Sequence, residues 1–353
     1  MPMIERLSLS LALTLNWGTR LSSRDDPMFN EICEVEAAIS KFRSTTGNLQ
    51  DYIPVLRLNP FSPSTKRAKE HRARRDVYLT RLNRDLDERM ASGTHKPCIQ
   101  ANIIRDKGSE LSKEELTSIS LTMLSGGLDT VTTLVQWSVA LLAQRPDIQE
   151  RAVQEIRKRY AEDEPLADVY DEELCPFITA LVRECLRFYT VLRLALPRAT
   201  VKDMVYEGKL IPAGSKIYLN AWACNMGTNV ALSLHIRSYT DPPPPDPAVW
   251  RDPSVFRPSR WLEQPDAPLF TYGIGYRMCT GSLLANRELY LVFIRMLGSF
   301  VLVPDSAVDV HPVRGSSDPT SLVTMCKPYS VFFRPRNERA LRDALTQADV
   351  RMG

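Results

Sequence analysis

Residues 270–281 read Phe-Thr-Tyr-Gly-Ile-Gly-Tyr-Arg-Met-Cys-Thr-Gly, and this segment places a single cysteine, Cys279, in a glycine-rich loop. Gly273, Gly275 and Gly281 allow backbone conformations that other residues avoid, and they leave room for a flat ligand. A helix is predicted directly after the loop, and a helix N-terminus favours the thiolate form of a nearby cysteine. The pattern therefore favours a thiolate that ligates the metal of a flat cofactor over a buried structural cysteine.

A long helix is predicted upstream of this loop. Ser112 is a suitable N-cap, Glu115 stands three residues later, and the apolar pattern continues to about Ala143. The average helix has roughly 11–12 residues, so this one is unusually long. Because its apolar residues cover most sides, we expect it to cross the core rather than lie on the surface.

Two adjacent glycines, Gly126 and Gly127, lie within this helix and are followed by Asp129 and Thr130. Each glycine costs roughly 1 kcal/mol relative to alanine, which is understandable where a ligand must approach the backbone. An acid and a hydroxyl beside such a gap are suited to proton delivery. The alternative is that the glycines serve helix packing and that the Thr130 hydroxyl bonds back to the preceding turn.

A third pattern is Glu184-Cys185-Leu186-Arg187, in a predicted helix with apolar flanks. Glu184 and Arg187 are three residues apart, so they share a helix face and can pair. A surface pair would contribute little, whereas a buried pair needs further partners. Arg260, in the segment Phe-Arg-Pro-Ser-Arg-Trp, is a candidate third member.

The composition argues against several classes of protein. The formal net charge is +3 over 353 residues, which gives no support for nucleic-acid binding. The 7 cysteines contain no C-x-x-C pair and the 4 histidines no H-E-x-x-H pattern, so neither a disulfide framework nor a zinc site is expected. The apolar run Leu7–Trp17 is shorter than the roughly 20 residues of a membrane-spanning helix and reads as an amphipathic helix.

The predicted architecture is one domain over residues 1–353, mainly α with a small β portion. Helical periodicity dominates residues 1–190, whereas strands, turns and proline-rich loops dominate residues 191–353. Short strands are predicted at 200–201, 204–206 and 216–219, a helix at 282–297, and a terminal strand pair within 322–333.

The order and spacing of the three motifs resemble those of the cytochrome P450 superfamily. The resemblance implies the P450 fold, with haem b (iron protoporphyrin IX) as the cofactor and Cys279 as the axial ligand of its iron. It implies that Gly126–Thr130 form the oxygen-activation kink of the central helix. It also implies that Arg277 and Arg198 hold the haem propionates. Glu184, Arg187 and Arg260 match the structural triad of the family.

Residues 116–134, 219–226 and 318–325 are similar to a narrower group, the fungal phenylacetate and 3-hydroxyphenylacetate hydroxylases. This similarity implies hydroxylation of the aromatic ring of a small aryl-acetic acid. Dioxygen would be the cosubstrate, and electrons would come from NADPH through NADPH–cytochrome P450 reductase. A carboxylate substrate needs a cation, and Arg193 lies on the segment that borders the haem pocket in this family. The alternative for Arg193 is a propionate or surface contact.

Three residues depart from the family pattern. Tyr272 stands where phenylalanine is usual, and Thr280 replaces an apolar residue after the cysteine; we expect both to alter the packing around the sulfur. Ser259 stands where glutamate is frequent, which leaves Arg187 and Arg260 with one fewer partner.

Members of the family also usually carry a longer N-terminal region, which anchors the protein to the cytosolic face of the endoplasmic reticulum membrane. We therefore expect this chain to lack that anchor and to hold haem weakly.

An insert is predicted at about residues 227–245. In the family, a segment such as Cys224–Met226 runs almost directly into one such as Asp246–Trp250. The Gly-Thr start of the insert, its length and its unrelated composition suggest a translated, unspliced intron. The alternative is a tolerated surface loop, because long loop insertions cost little free energy.

Four functions stay open at this point. The first is an active aryl-acetate monooxygenase, and the second is a P450 that acts on another small aromatic secondary metabolite. The third is a catalytically silent, truncated fragment that holds no haem. The fourth is a haem-thiolate isomerase or dehydratase, and Asp129 and Thr130 argue against it because that chemistry needs no oxygen activation.

Overall fold

The computed structural model describes residues 2–21, 23, 25–44, 53, 55–56, 63–106, 111–227 and 250–352. The chain folds as two compact units, Met1–Thr133 with Asp318–Val323, and Leu134–Ser317 with Thr324–Gly353. Among the described residues every strand follows Tyr189, and the predicted fold class, mainly α with a small β portion, is confirmed. Within these same ranges, no helix is both long and apolar enough to cross a bilayer.

The first unit is built from helices. They are α1 (Pro2–Trp17), α2 (Pro27–Arg43), α3 (Pro63–Ala91), α4 (Ile99–Arg105) and the first part of α5 (Lys113–Ala143). Their inward faces share one apolar core, in which Leu13, Ile32 and Leu82 are fully buried around Trp17. The Trp17 indole N–H donates to Asn83 Oδ1 at 2.8 Å, so this bulky side chain is buried with its polar group satisfied.

The predicted long helix is confirmed as α5. At its start, the Ser112 N–H and hydroxyl both donate to the Glu115 carboxylate at 2.9 Å, and the Glu115 N–H donates to Ser112 Oγ at 3.2 Å. This is the predicted capping box, and the bonds from Ser112 hold the pKa of Glu115 below its usual value. From Val131 to Ala143 every side chain except that of Gln136 is buried, so this part of α5 lies in a core.

The second unit combines helices with short strands. Its helices are the rest of α5, then α6 (Pro146–Ile156), α7 (Pro176–Tyr189), α8 (Ala221–Met226), α9 (Arg260–Glu263), α10 (Ser282–Ser299) and α11 (Glu338–Met352). Its antiparallel pairs are β1 (Arg198–Ala199) with β4 (Lys216–Ile217), β2 (Met204–Tyr206) with β3 (Lys209–Ile211), and β5 (Phe300–Pro304) with β6 (Val331–Pro335). Helices α6, α8, α9 and α10 all pack against α7, which explains why most of α7 is buried.

Two parts of the β prediction are wrong. The terminal strand pair does not lie within 322–333, because β6 pairs with β5 instead, from Phe300↔Pro335 to Pro304↔Val331. The strand predicted at 200–201 lies two residues earlier, at β1. Local alternation shows that a segment is extended but does not show its partner. The patterns also predict none of the short helices α4, α8 and α9, and they do not predict α11.

Residues 228–249, which contain nearly all of the predicted insert, lie outside the described residues. At its near end, Gly227 terminates α8 with a φ of +56°. A Cβ atom on Gly227 would lie 2.7 Å from Trp250 Cδ1, so the chain leaves and re-enters the described fold at one place. This arrangement is compatible with an insert, whose origin stays a prediction.

Replacing Ser112 by alanine should lower the free energy of unfolding by about 1 kcal/mol, because the first turn of α5 loses its N-cap. Urea unfolding followed by circular dichroism measures the change. Ser118→Ala is the matched control, because Ser118 lies on the same helix beyond the cap. An equal loss of stability in both variants would contradict a capping contribution.

Candidate active site

The cysteine loop is shaped by its backbone. Gly273 and Gly275 have φ values of +81° and +64°, in the left-handed region that side chains disfavour. The Cys279 N–H donates to the Tyr272 carbonyl at 2.8 Å, which closes the loop. Helix α10 then begins at Ser282, as predicted. The result is an exposed cysteine with a free thiol.

Tyr272 attaches this loop to α10. Its hydroxyl donates to Asn286 Oδ1 at 2.8 Å, and burial, together with the neighbouring Cys279, raises its pKa well above the usual value. The tyrosine hydroxyl, which phenylalanine would lack at this position, therefore attaches the cysteine loop to α10. Thr280 is exposed, and a Cβ atom on Gly281 would lie 3.9 Å from the Cys279 sulfur. Glycine at 281 thus keeps one side of the sulfur open.

Apolar side chains next to the thiol are exposed. Ile274 is 59% exposed, Tyr276 100%, Met278 46% and Leu283 84%. So many exposed apolar side chains in one short segment are typical of a binding surface rather than of a solvated loop. An exposed thiol beside apolar side chains fits the sulfur ligand and the apolar faces of a haem.

Arg198 and Arg277 come together in the second unit. Arg198 lies in β1, and its Nη2 donates to the Arg277 carbonyl at 3.2 Å. Both residues are exposed, so their guanidinium groups are accessible to an anionic ligand. Guanidinium groups form strong, charge-assisted hydrogen bonds with carboxylates, which suits haem propionates.

Glu184 is a fully buried carboxylate at the centre of the second unit. It accepts two hydrogen bonds from Arg187, from Nε at 2.8 Å and from Nη2 at 2.9 Å. It also accepts from Arg260 Nε at 3.1 Å, from Trp261 Nε1 at 3.0 Å and from the Arg257 backbone N–H at 2.8 Å. Five donors compensate for the loss of hydration that burial of the charge entails.

Backbone carbonyls supply the partners that Ser259 cannot. Arg260 donates to the carbonyls of Arg251, Asp252 and Val255, and Arg187 donates to those of Asn225 and Pro253. Both guanidinium groups are therefore satisfied although serine stands where the family often has glutamate. The expected shortage of partners for Arg187 and Arg260 is thus wrong.

Asn225 is a buried residue that the sequence patterns do not single out. Its Nδ2 donates to the hydroxyls of Thr190 at 2.8 Å and Thr271 at 2.9 Å, and its Oδ1 accepts from the Phe270 N–H at 2.8 Å. It therefore ties the end of α7 to the start of the cysteine loop. In the sequence, the only indication that Asn225 matters is its position in residues 219–226, one of the stretches similar to the fungal hydroxylases.

The two glycines of α5 have different surroundings. A Cβ atom on Gly127 would lie 3.3 Å from Ala12 Cβ, whereas a Cβ atom on Gly126 would meet nothing within 4 Å. Gly127 therefore serves helix packing, and Gly126 leaves an open side. The Thr130 hydroxyl donates to the Gly126 carbonyl at 2.8 Å, so the back-bond of the alternative interpretation is present. Helix α5 continues without interruption through both glycines.

Asp129 lies in the first unit beside a buried acid. Burial, with smaller contributions from Glu36 and Glu5, raises the pKa of Asp129 to about 6. Glu36 is itself buried and accepts hydrogen bonds from the Tyr78 hydroxyl at 2.8 Å and from the Ser125 hydroxyl. Asp129 can therefore exchange a proton close to neutral pH, as the proton-delivery hypothesis requires.

The predicted site residues fall into both units. The second unit brings together the cysteine loop, Arg198, Arg277 and the Glu184 cluster. Arg193 belongs to this unit too, and its guanidinium donates to the Pro312 carbonyl. Gly126–Thr130 belong to the first unit, so their roles stay a prediction, as do those of the cysteine and the arginines.

The chain belongs to the cytochrome P450 family, whose model matches residues 2–231 and 239–333. A 3-hydroxyphenylacetate 6-hydroxylase of Emericella nidulans is 63% identical over 98% of this chain and 63% of its own length. A phenylacetate 2-hydroxylase of the same organism is 38% identical over 98% of this chain and 65% of its own length. The chain thus spans less than two-thirds of the length of either relative.

Structural comparison confirms the P450 fold. A solved structure of a zebrafish cytochrome P450 with abiraterone superimposes with a TM-score of 0.70, over 95% of this chain and 71% of that chain. The sequences are 21% identical, so this likeness concerns the fold alone.

Replacing Glu184 by glutamine should lower the free energy of unfolding by about 3–5 kcal/mol, because two buried guanidinium groups lose their counter-ion. Glu263→Gln is the control, since Glu263 is exposed and pairs with Arg257 at 2.7 Å. That change should cost less than about 1 kcal/mol. Denaturant unfolding compares the two, and similar losses would argue against the central position of Glu184.

Replacing Asp129 by asparagine should change how stability depends on pH. The folded-state pKa of about 6 exceeds the ordinary 3.8, so the folded protein binds more protons between these values and loses stability as pH rises through them. The amide of the variant cannot ionise, so the variant should gain about 2–3 kcal/mol over the natural protein between roughly pH 4 and pH 7. Unfolding at both pH values measures this gain, and a pH-independent difference would contradict it.

Proposed function

We propose that the protein is a haem-thiolate monooxygenase that hydroxylates the aromatic ring of a small aryl-acetic acid, such as phenylacetate or 3-hydroxyphenylacetate. The observation that carries the proposal is the 63% identity, over nearly the whole chain, to a 3-hydroxyphenylacetate 6-hydroxylase. The exposed thiol of Cys279, in a loop with two left-handed glycines, agrees with a sulfur ligand for haem iron.

When bound, haem would supply the oxygen chemistry, in which one atom of dioxygen enters the substrate and the other leaves as water, while two electrons and two protons are consumed. The protein supplies position and charge. Cys279 would provide the sulfur ligand, and the hydrogen bond from its N–H to the Tyr272 carbonyl holds it in place. Arg198 and Arg277 would neutralise the propionates. The Glu184 cluster, acting through Asn225, positions the loop that carries the ligand.

Proton delivery is assigned to Asp129 and Thr130. Asp129 can take up and release a proton close to neutral pH because burial raises its pKa to about 6. The Thr130 hydroxyl proton is held at the Gly126 carbonyl, and the open side of Gly126 gives a ligand access to that position. An ionisable acid and a reorientable hydroxyl one residue apart provide two successive proton sites.

The same proposal extends to partners and location. Electrons would come from NADPH through NADPH–cytochrome P450 reductase, and dioxygen would be the cosubstrate. We place the whole protein at the cytosolic face of the endoplasmic reticulum membrane. These assignments rest on membership of the P450 family and on the two fungal relatives.

The Cys279→Ser variant tests the ligand assignment. The reduced, carbon-monoxide-bound natural protein should show the strongly red-shifted absorption band of a haem-thiolate, and the variant should lose both this band and ring hydroxylation. Cys224→Ser is the control, because Cys224 is a partly buried free cysteine outside the loop, and it should retain the band. A band that survives in Cys279→Ser would refute the ligand assignment, whereas its absence from the natural protein would favour a silent fragment.

A further inference from the structure

Four buried side-chain donors in the second unit have no acceptor among the described residues: Arg193 Nε, Trp222 Nε1, Trp250 Nε1 and Ser316 Oγ. Two of the four, Arg193 Nε and Trp222 Nε1, belong to residues that contact each other, and both atoms are inaccessible to solvent. A buried donor without an acceptor is costly, so such atoms call for a specific explanation. Arg193 does use its Nη2, which donates to the Pro312 carbonyl.

The two residues are neighbours in space. The Trp222 backbone N–H donates to the Arg193 carbonyl at 3.2 Å. The Arg193 guanidinium carbon lies 5.3 Å from the centre of a Trp222 ring. Both unsatisfied donors therefore belong to one small cluster, between the end of α7 and helix α8.

Arg193 also differs from the other buried arginines in its charge environment. Arg187 and Arg260 share the Glu184 carboxylate, whereas no aspartate or glutamate of the described ranges forms an ion pair with Arg193. Burial lowers the pKa of Arg193, and no neighbouring charge contributes to that shift. A partly buried cation with donors to spare favours an anionic ligand over water.

The backbone and the apolar neighbours of Arg193 suggest which kind of anion would bind there. Ala195, two residues after Arg193, has a φ of +49°, and such strained conformations are concentrated at ligand sites. Leu194 and Leu196 are 39% and 48% exposed. The segment thus offers a cation next to exposed apolar side chains, which matches a molecule with a carboxylate and an aromatic ring.

We propose that Arg193 and Trp222 form a carboxylate-recognition subsite for the small aromatic acid substrate. The inference deepens the proposed function and rests on it. The same donors would suit a haem propionate, which is the competing source of a carboxylate. Haem also carries its carboxylates on an aromatic ring, but the proposed function already assigns the propionates to Arg198 and Arg277, which lie together in this unit. The substrate carboxylate is therefore the source that remains for Arg193 and Trp222.

Binding of phenylacetate and of its neutral analogue phenylacetamide to the haem-loaded protein tests the proposal. Isothermal titration calorimetry gives both affinities, and the pyridine haemochrome assay gives the haem content of each variant. The variants are Arg193→Gln, which removes the charge, and Trp222→Phe, which keeps an aromatic ring but removes the N–H. Arg314→Gln is the control, because Arg314 is exposed and pairs with Asp309 at 3.1 Å.

The natural protein should prefer the acid to the amide. Arg193→Gln should reduce that preference by roughly tenfold or more, as expected for a charge-assisted hydrogen bond, and Trp222→Phe by roughly threefold. Haem content should be unchanged in both variants, and Arg314→Gln should behave like the natural protein. Should Arg193→Gln fail to fold, Trp222→Phe still decides the question.

Two results would overturn the subsite. One is a loss of haem with an unchanged acid preference, which would assign the donors to a propionate. The other is an unchanged preference with unchanged haem in both variants. If the natural protein binds neither ligand while holding haem, the proposed substrate class fails instead. Ligand binding by the natural protein thus tests the proposed function, and the acid preference and haem content of the variants test the subsite.

Discussion

The buried Glu184 carboxylate is the constraint on which the second unit depends. Its five donors come from α7, from α9 and from the backbone just before α9, so one side chain fixes segments that are far apart in sequence. Arg187 extends this network to the Asn225 carbonyl, and the Asn225 side chain reaches Phe270 and Thr271 at the start of the cysteine loop. Hydrogen bonds and short stretches of backbone therefore link the position of Cys279 to a buried charge that water does not reach.

Such a network is a strict condition on the fold. Removing one member of a buried ion cluster leaves the others uncompensated, so the cluster tolerates few alternative arrangements. Serine at position 259 shows that the cluster tolerates the loss of one side-chain acceptor. Backbone carbonyls accept the remaining N–H groups of Arg187 and Arg260 instead. The carboxylate at 184 has no comparable substitute, because it is the common acceptor of all five donors.

The sequence predicts best what is encoded locally. Glycine spacing around Cys279, the Ser112–Glu115 capping box and the apolar run of α5 each rest on neighbours within a few residues, and each is present in the structure. Strand pairing was predicted poorly, because β6 pairs with β5, which lies much earlier in the chain. Asn225 and Trp222 were also missed, because a single polar or aromatic residue in a short helix leaves no periodic signal.

Arg187 and Arg193 show how two arginines close together in the sequence acquire different chemistry. Arg187 lies on the regular part of α7, three residues from Glu184, so helical geometry gives it a counter-ion. Arg193 follows the left-handed Thr190, beyond the end of the helix, where no such spacing operates. Its guanidinium is buried in part, yet the described fold provides one backbone carbonyl as its hydrogen-bond acceptor, beside the Trp222 ring, and no carboxylate. A charge placed in this way stabilises the protein little by itself, and it gains a favourable interaction when an anion arrives from outside the chain.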